Sequence, residues 1–231
     1  MNIKILSLID GAKKAKGLTV IIDVFRAFSM EAYMMSMGAD KIIPVGDIEC
    51  AYRLKRENLD IILAGERKGK IVPGFDTGNS PWQLASIDVK GKTVVHTTSA
   101  GTQGIVNAVE ADEILGGSFV TANAVAEYIK RSGAKDVSLV CMGLEGVSET
   151  EEDTLCAEYI KSILTGTKMD IMNEIEKLKH TSGAKFFNKT MEDVFPESDF
   201  YMCTEVDKFN FVLRLRKSPN GINYMEKYTI N

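Results

Sequence analysis

Four clusters of acidic, basic and hydroxyl residues stand out because each follows directly on an apolar run. Asp23 and Arg26 follow Thr19-Val20-Ile21-Ile22, and Glu66-Arg67 follow Ile61-Ile62-Leu63-Ala64. Thr97-Thr98-Ser99-Ala100-Gly101-Thr102 follow Thr93-Val94-Val95-His96, and Glu149-Thr150-Glu151-Glu152-Asp153 come after Val137-Ser138-Leu139-Val140-Cys141. A carboxylate such as Asp23 can hold a divalent cation, attack as a nucleophile, or cap a helix. An Arg three residues on can clamp an anion with its planar fork, or pair with Asp23 itself. Glu66-Arg67 repeats the acid-plus-Arg combination. Hydroxyls and backbone N–H groups at a helix start suit an oxyanion, although an ordinary capped turn looks the same. The acidic run reads as a solvated helix start or as a carboxylate source. Mg²⁺ needs only one or two carboxylates beside substrate oxygens, so Asp23, Glu66 and Asp153 suffice.

The elements that must place these residues alternate between strand and helix. Short apolar runs at 19–22, 41–45, 61–64, 93–96, 113–115 and 137–141 read as strands covered on both faces, as in a mostly parallel sheet. Helical spacing covers 28–37, with Gly38 at its end, and 121–132; Asp47 can cap a helix running to about 57. Residues 68–80 form the longest structureless stretch, and Ser80-Pro81 start a short helix. Ligands bind beyond the carboxyl ends of strands in such sheets, so parallel strands would bring all four clusters to one edge. The chain reads as one α/β domain over 1–231. From about residue 168 it becomes richer in charge and aromatics, as a helical extension ending in a strand–turn–strand with the turn at 218–221.

Composition narrows the chemistry. The 231 residues carry 28 Lys plus Arg against 32 Asp plus Glu, a net charge of −4, which argues against a nucleic-acid-binding face. No apolar run reaches membrane-spanning length, and the first ten residues turn acidic too soon for a signal peptide. Four separated cysteines suit reduced thiols in a cytoplasmic protein. Two distant histidines leave little for a zinc site or a serine–histidine triad, and His96 reads first as a strand residue. No P-loop and no GxSxG elbow occur. The eleven methionines read as core packing.

Taken in order, Asp23-Val24-Phe25-Arg26-Ala27, Gly65-Glu66-Arg67-Lys68-Gly69, Gly74-Phe75-Asp76-Thr77-Gly78-Asn79-Ser80-Pro81 and Thr97-Thr98-Ser99-Ala100-Gly101-Thr102 resemble the motifs of the 2-phosphosulfolactate phosphatase family. Gly143-Leu144-Glu145-Gly146, followed by Glu152-Asp153, resembles its acidic motif. The likeness runs from about Gly17 to Cys156 and continues weakly beyond. It implies a three-layer α/β/α fold with a mixed, mostly parallel sheet. It implies a Mg²⁺-dependent phosphatase acting on (2R)-2-phospho-3-sulfolactate, a step toward coenzyme M. The resemblance makes Asp23, Glu66, Asp76 and Asp153 catalytic candidates, with Asp23, Glu66 and Asp153 as metal ligands. Arg26, Arg67, Asn79 and Ser80 become phosphate or sulfonate binders, and Thr97, Thr98, Gly101 and Thr102 a phosphate cradle.

The family's loop usually reads Thr-Thr-Thr-Asn-Gly-Thr-Arg; here Ala100 and Gln103 remove an amide and a cation, and Glu158 adds an acid to the acidic motif. These departures keep two other readings open: a phosphatase for a different small ester, or a non-catalytic module that binds a phosphorylated metabolite. With no Cys or His in the motifs, direct attack by water is the expected route, and a phospho-aspartate on Asp23 is the competing one. A homodimer is compatible with the sequence but not read from it.

Overall fold

The computed structural model describes residues 1–218 and 221–230. The expected turn at 218–221 therefore falls partly outside the described residues, at Pro219 and Asn220. In chain order the elements are β1 (Asn2–Ser7), α1 (Leu8–Lys14), β2 (Gly17–Ile22), α2 (Ala27–Ser36), β3 (Lys41–Pro44), α3 (Ile48–Glu57), β4 (Ile62–Arg67) and β5 (Lys70–Ile71). They continue with β6 (Thr93–Thr97), α4 (Gly101–Asn107), β7 (Ala111–Gly117), α5 (Ala122–Ser132) and β8 (Asp136–Cys141). The remainder holds α6 (Glu151–Thr165), α7 (Ile171–Leu178), α8 (Glu197–Thr204), β9 (Phe211–Arg216) and β10 (Tyr224–Thr229). Asp47 caps α3 by accepting the Glu49 N–H, as its position predicts. No helix of the described residues is long and apolar enough to cross a membrane.

Ten strands form a mixed, mostly parallel sheet in the order β1-β8-β2-β7-β9-β10-β3-β6-β4-β5, with helices on both faces. Alternate residues of β2 serve the two faces: Ile21 packs with α2 and α4, while Val20 and Ile22 pack with α5, α6 and α8. α2 is buried from Ala27 to Met35, as an apolar helix with no wet stripe must be. Met30, Met34 and Met35 are core, as expected, but Met37 at the end of α2 is exposed, as are Met1, Met172 and Met191, so the methionines are not all core packing.

The sheet departs from an all-parallel arrangement in a way that matters for the site. β1, β8, β2 and β7 run parallel, and so do β3, β6 and β4. The β9–β10 hairpin sits between these sets, and its three antiparallel contacts reverse their relative direction. In a flat sheet the carboxyl ends of β2 and β6 would therefore lie at opposite edges. The segments beyond the two strands nevertheless meet: Asp23 after β2 accepts the Gly101 N–H after β6 at 2.8 Å.

The strand order also reveals a topological repeat. β2-α2-β3-α3-β4 and β6-α4-β7-α5-β8 have the same path, each starting in one parallel set and crossing to the other. The order is symmetric about the β9–β10 pair. Asp23 and the threonine loop are thus equivalent positions, after the first strand of each unit. The hairpin read as the end of an extension lies at the sheet's centre.

Two local readings change. β4 does not stop at Ala64 but continues through Gly65, Glu66 and Arg67. It turns at Lys68 and Gly69, with φ of 54° and 77°, and pairs with β5. Positive φ at both turn residues suits the twist of a two-residue hairpin. The helix expected after Ser80-Pro81 is a single 3-10 segment, Trp82–Ser86.

Candidate active site

A cavity of about 240 Å³ opens where the ends of β2, β4, β6 and β8 meet. Asp23, Glu66, Asn79, Ser99 and Ala100 line it, joined by Gly143, Leu144 and Glu145 from the loop after β8. Its cations are Arg26, Lys68 and Lys185, and Phe25 and Phe195 form aromatic wall.

The buried carboxylates are fixed by backbone amides from different segments. Asp23 accepts the Ala27 N–H through Oδ1 at 3.1 Å and the Gly101 N–H through Oδ2 at 2.8 Å. Glu66 accepts the Ser99 N–H and the Gly69 N–H, both at 2.7 Å. Asp153 accepts the Val24 and Gly143 N–H groups, both at 2.8 Å. Burial pushes the Asp23 carboxyl up to about 6, and the Glu66 and Glu152 charges add to the rise against its two amide bonds. Asp153 lies well above the ordinary carboxylate range, first through burial and then through Glu152 and Asp23. Glu152 is itself buried, and among the described residues its Oε2 has no hydrogen-bond partner. The acidic run is therefore not simply a solvated helix start: Glu152 and Asp153 turn inward in the first turn of α6. A group such as Asp23, poised near neutral pH in a cleft, suits proton transfer.

Arg26 does not pair with Asp23. Its Nη1 donates to Asp199 Oδ2 at 2.7 Å and to the Val194 carbonyl at 2.8 Å, and its guanidinium stacks over Phe195. Among the described residues its other nitrogens make no hydrogen bond, and the side chain borders the cavity. Asp199 also accepts Ser80 Oγ and the Trp82 N–H, both at 2.9 Å. Lys185 lies among the rings of Phe25, Phe186 and Phe195 and makes no ion pair among the described residues. The segment beyond 168 thus builds one wall of the cavity.

Several expected site residues are placed elsewhere. Asp76 accepts the Leu63 N–H and faces Lys55, closing a turn away from the cavity. Arg67 donates to the carbonyls of Glu66 and Gly46 and to Thr97 Oγ1, and does not line the cavity. Ser80 donates to Asp199 instead of facing a ligand. The threonine loop is not a cradle of free amides. Thr98 and Thr102 satisfy each other's N–H and hydroxyl groups. The Ser99 and Gly101 N–H groups already hold Glu66 and Asp23. The ligand set Asp23, Glu66, Asp153 is not assembled, because the Val24 and Gly143 amides hold Asp153 behind the cavity. No group of three His, Cys, Asp or Glu side chains among the described residues is arranged to hold a metal ion. Of the departures from the family loop, Ala100 lines the cavity, Gln103 donates to the Gly46 carbonyl outside it, and Glu158 lines a separate groove beside α7.

Other residues enter that sequence reasoning missed or, for His96, read first as a strand position. Lys185, Phe195 and Asp199 carry no motif and lie beyond the last of the clusters, the nearest of them 32 residues after Asp153. Glu31 and His96 form a buried pair behind Asn79. A lone Glu inside the apolar stripe of α2 was the one available signal.

The family model described as 2-phosphosulpholactate phosphatase matches residues 4–218. The chain is 31% identical over 203 residues to the probable 2-phosphosulfolactate phosphatase of Bacillus subtilis (strain 168), covering 87% of each. It is 32% identical over 231 residues to the protein of the same name from Caldanaerobacter subterraneus subsp. tengcongensis, covering 94% of this chain and 93% of the relative. The counterpart from Caldicellulosiruptor saccharolyticus is 38% identical over 178 residues, 75% of this chain and 73% of its own. With the motif order, the α/β sheet and the cavity at its strand ends, these matches place the chain in the 2-phosphosulfolactate phosphatase family.

Proposed function

We propose that this protein is a phosphatase that hydrolyses (2R)-2-phospho-3-sulfolactate to 3-sulfolactate and phosphate. The observation that carries this reading is one small cavity where two amide-fixed carboxylates, Asp23 and Glu66, meet the cations Arg26, Lys68 and Lys185. Its volume of about 240 Å³ lies below the range for drug-sized ligands and suits a compact polyanion. A phosphomonoester needs charge neutralisation more than a strong nucleophile.

The donor set fits Mg²⁺. Glu66 helps to raise Asp23, so the two carboxylates repel each other across the same cavity, and a divalent cation relieves that repulsion. Mg²⁺ takes one or two protein carboxylates and completes its shell with phosphate and water oxygens. Asp23 and Glu66 would hold it, and when bound it neutralises charge on the phosphoryl oxygens. The unengaged nitrogens of Arg26 bind the phosphate, while Lys185 and Lys68 favour the carboxylate and sulfonate of the substrate. Asp23 takes a proton from the attacking water. The phosphorus–oxygen bond to the lactate carbon skeleton breaks, and the departing oxygen takes a proton from solvent.

Phosphate release from racemic phosphosulfolactate and a panel of small phosphomonoesters, with Mg²⁺ and with EDTA, tests this function. Mg²⁺-dependent release from phosphosulfolactate, abolished by Asp23→Asn, is the expected outcome. Release only from another ester would move the substrate, and Ala100 at the cavity wall is the residue that favours this second reading. No release from any ester would refute the phosphatase. A radiolabelled phosphoryl group trapped on Asp23 would replace direct water attack with a phospho-enzyme.

A further inference from the structure

Glu31 and His96 are an unexpected pair for the middle of a core. Both are 0% exposed. Glu31 sits in α2 among Phe28, Met30, Met34 and Met35, and His96 sits in β6. Well-packed apolar residues would serve such a position at least as well, because two buried ionisable groups bring a desolvation penalty that their attraction rarely exceeds. A purely structural role therefore leaves the pair unexplained.

The pair has one route to the cavity. His96 Nδ1 lies 2.8 Å from Glu31 Oε1, and His96 Nε2 lies 3.2 Å from Asn79 Oδ1. Asn79 lines the cavity. The carboxamide is placed with Oδ1 toward the ring and its nitrogen turned away, an arrangement in which Nε2–H is the donor to Asn79. With Oδ1 held by the ring, the Asn79 NH₂ group makes no hydrogen bond among the described residues. Nor is it a buried orphan, so it reaches the cavity.

We infer that His96, held by Glu31, is a positioning residue that turns the Asn79 NH₂ into the cavity as a donor to the anionic substrate. The inference rests on the phosphatase reading, with Asn79 touching the phosphoester and His96 acting only through it. The same geometry applies to inorganic phosphate, the product.

The test uses His96→Leu, which removes the donor, and His96→Gln, which keeps an N–H within reach of Asn79. In His96→Leu, KM for phosphosulfolactate and the inhibition constant for inorganic phosphate should both rise roughly tenfold or more, the worth of a hydrogen bond to a charged group. The change in kcat should be smaller, and His96→Gln should restore most of the affinity. In an Asn79→Ala background, His96→Leu should have almost no further effect on either constant, since its action passes through Asn79. Unchanged constants in a folded His96→Leu protein, or an undiminished effect in the Asn79→Ala background, would overturn the inference.

Nitrogen NMR of the unmodified protein supplies a readout independent of turnover and of variant folding. Only two histidines are present, and His180 is exposed. The His96 Nε2–H should appear as a slowly exchanging proton, and millimolar inorganic phosphate should shift the Asn79 side-chain NH₂ resonances. An unprotonated Nε2, or an Asn79 amide that phosphate does not move, would sink the proposal. If phosphosulfolactate is not hydrolysed yet phosphate shifts that amide, the function fails and the positioning role stands.

Discussion

Replacing Asp23 by Asn separates what this carboxylate does for the reaction from what it costs the fold. In the folded protein burial lifts the group from 3.8 to about 6, so the native state holds the proton more tightly than the unfolded chain does. The associated stability is fully present below pH 3.8 and is lost as pH rises through about 6. At about 1.36 kcal/mol per pH unit, the displacement amounts to about 3 kcal/mol of destabilisation at pH 8 relative to pH 4 from this group. Asn resembles the protonated acid in shape, keeping one acceptor for the Ala27 or Gly101 N–H. The Asn NH₂ faces the other N–H, so without metal Asp23→Asn should be about 1–3 kcal/mol less stable than the parent at pH 4 and should recover about 3 kcal/mol relative to it by pH 8. For a chain of this size that recovery is a relative rise in Tm of roughly 6–12 °C. Urea and thermal unfolding at both pH values, in EDTA, measure the difference. A difference between variant and parent that does not change with pH would refute the electrostatic account. Added Mg²⁺ should stabilise the parent and offset that recovery, because a ligand bound only by the native state raises its stability.

Three further outcomes follow from the packing. Arg26 and Asp199 form a buried ion pair, 3% and 0% exposed, so Asp199→Ala should cost about 3–5 kcal/mol in urea unfolding. A change below about 1 kcal/mol would mean that solvent compensates the freed guanidinium. A Cβ at Gly101 would lie 2.7 Å from Ala27 Cβ and 2.8 Å from Asp23 Oδ2, so Gly101→Ala should lose about 1–3 kcal/mol together with phosphate release. None of the four cysteines forms a disulfide; burial raises the thiols of Cys141, Cys156 and Cys203, whereas Cys50 is half-buried and accepts from Arg53 Nη2. Ellman's reagent at pH 8 should therefore titrate one thiol quickly in the native protein and all four in guanidinium. Two or more fast native thiols would contradict the packing.

Some of this molecule was legible one residue at a time. Apolar runs marked β2, β6 and β8, because strands buried on both faces need no polar alternation. Asp47 announced the start of α3, and Asp23 after β2 and Glu66 near the end of β4 pointed to the cavity. Spacing alone could not separate Asp76 from Asn79. Three residues apart in one motif, they face different ways because the backbone between them turns, so one closes a turn at Leu63 and the other reaches the cavity. Similarly, Arg26 and Arg67 both follow an acid, yet only Arg26 found a buried partner in α8 and kept nitrogens free for a ligand.

The sequence by itself determined the elements and the chemistry available at their ends, since both depend on neighbours a few residues apart. Only the tertiary structure decided which of those ends meet. Strand direction is set by pairing between distant segments, and the β9–β10 hairpin at the sheet's centre reverses one parallel set against the other. The segments that leave β2 and β6 converge, and Asp23 meets Gly101 there. Lys185, Asp199 and the Glu31–His96 pair join the site by the same means: contacts across 173 and 65 residues are fixed by packing, which no local pattern encodes.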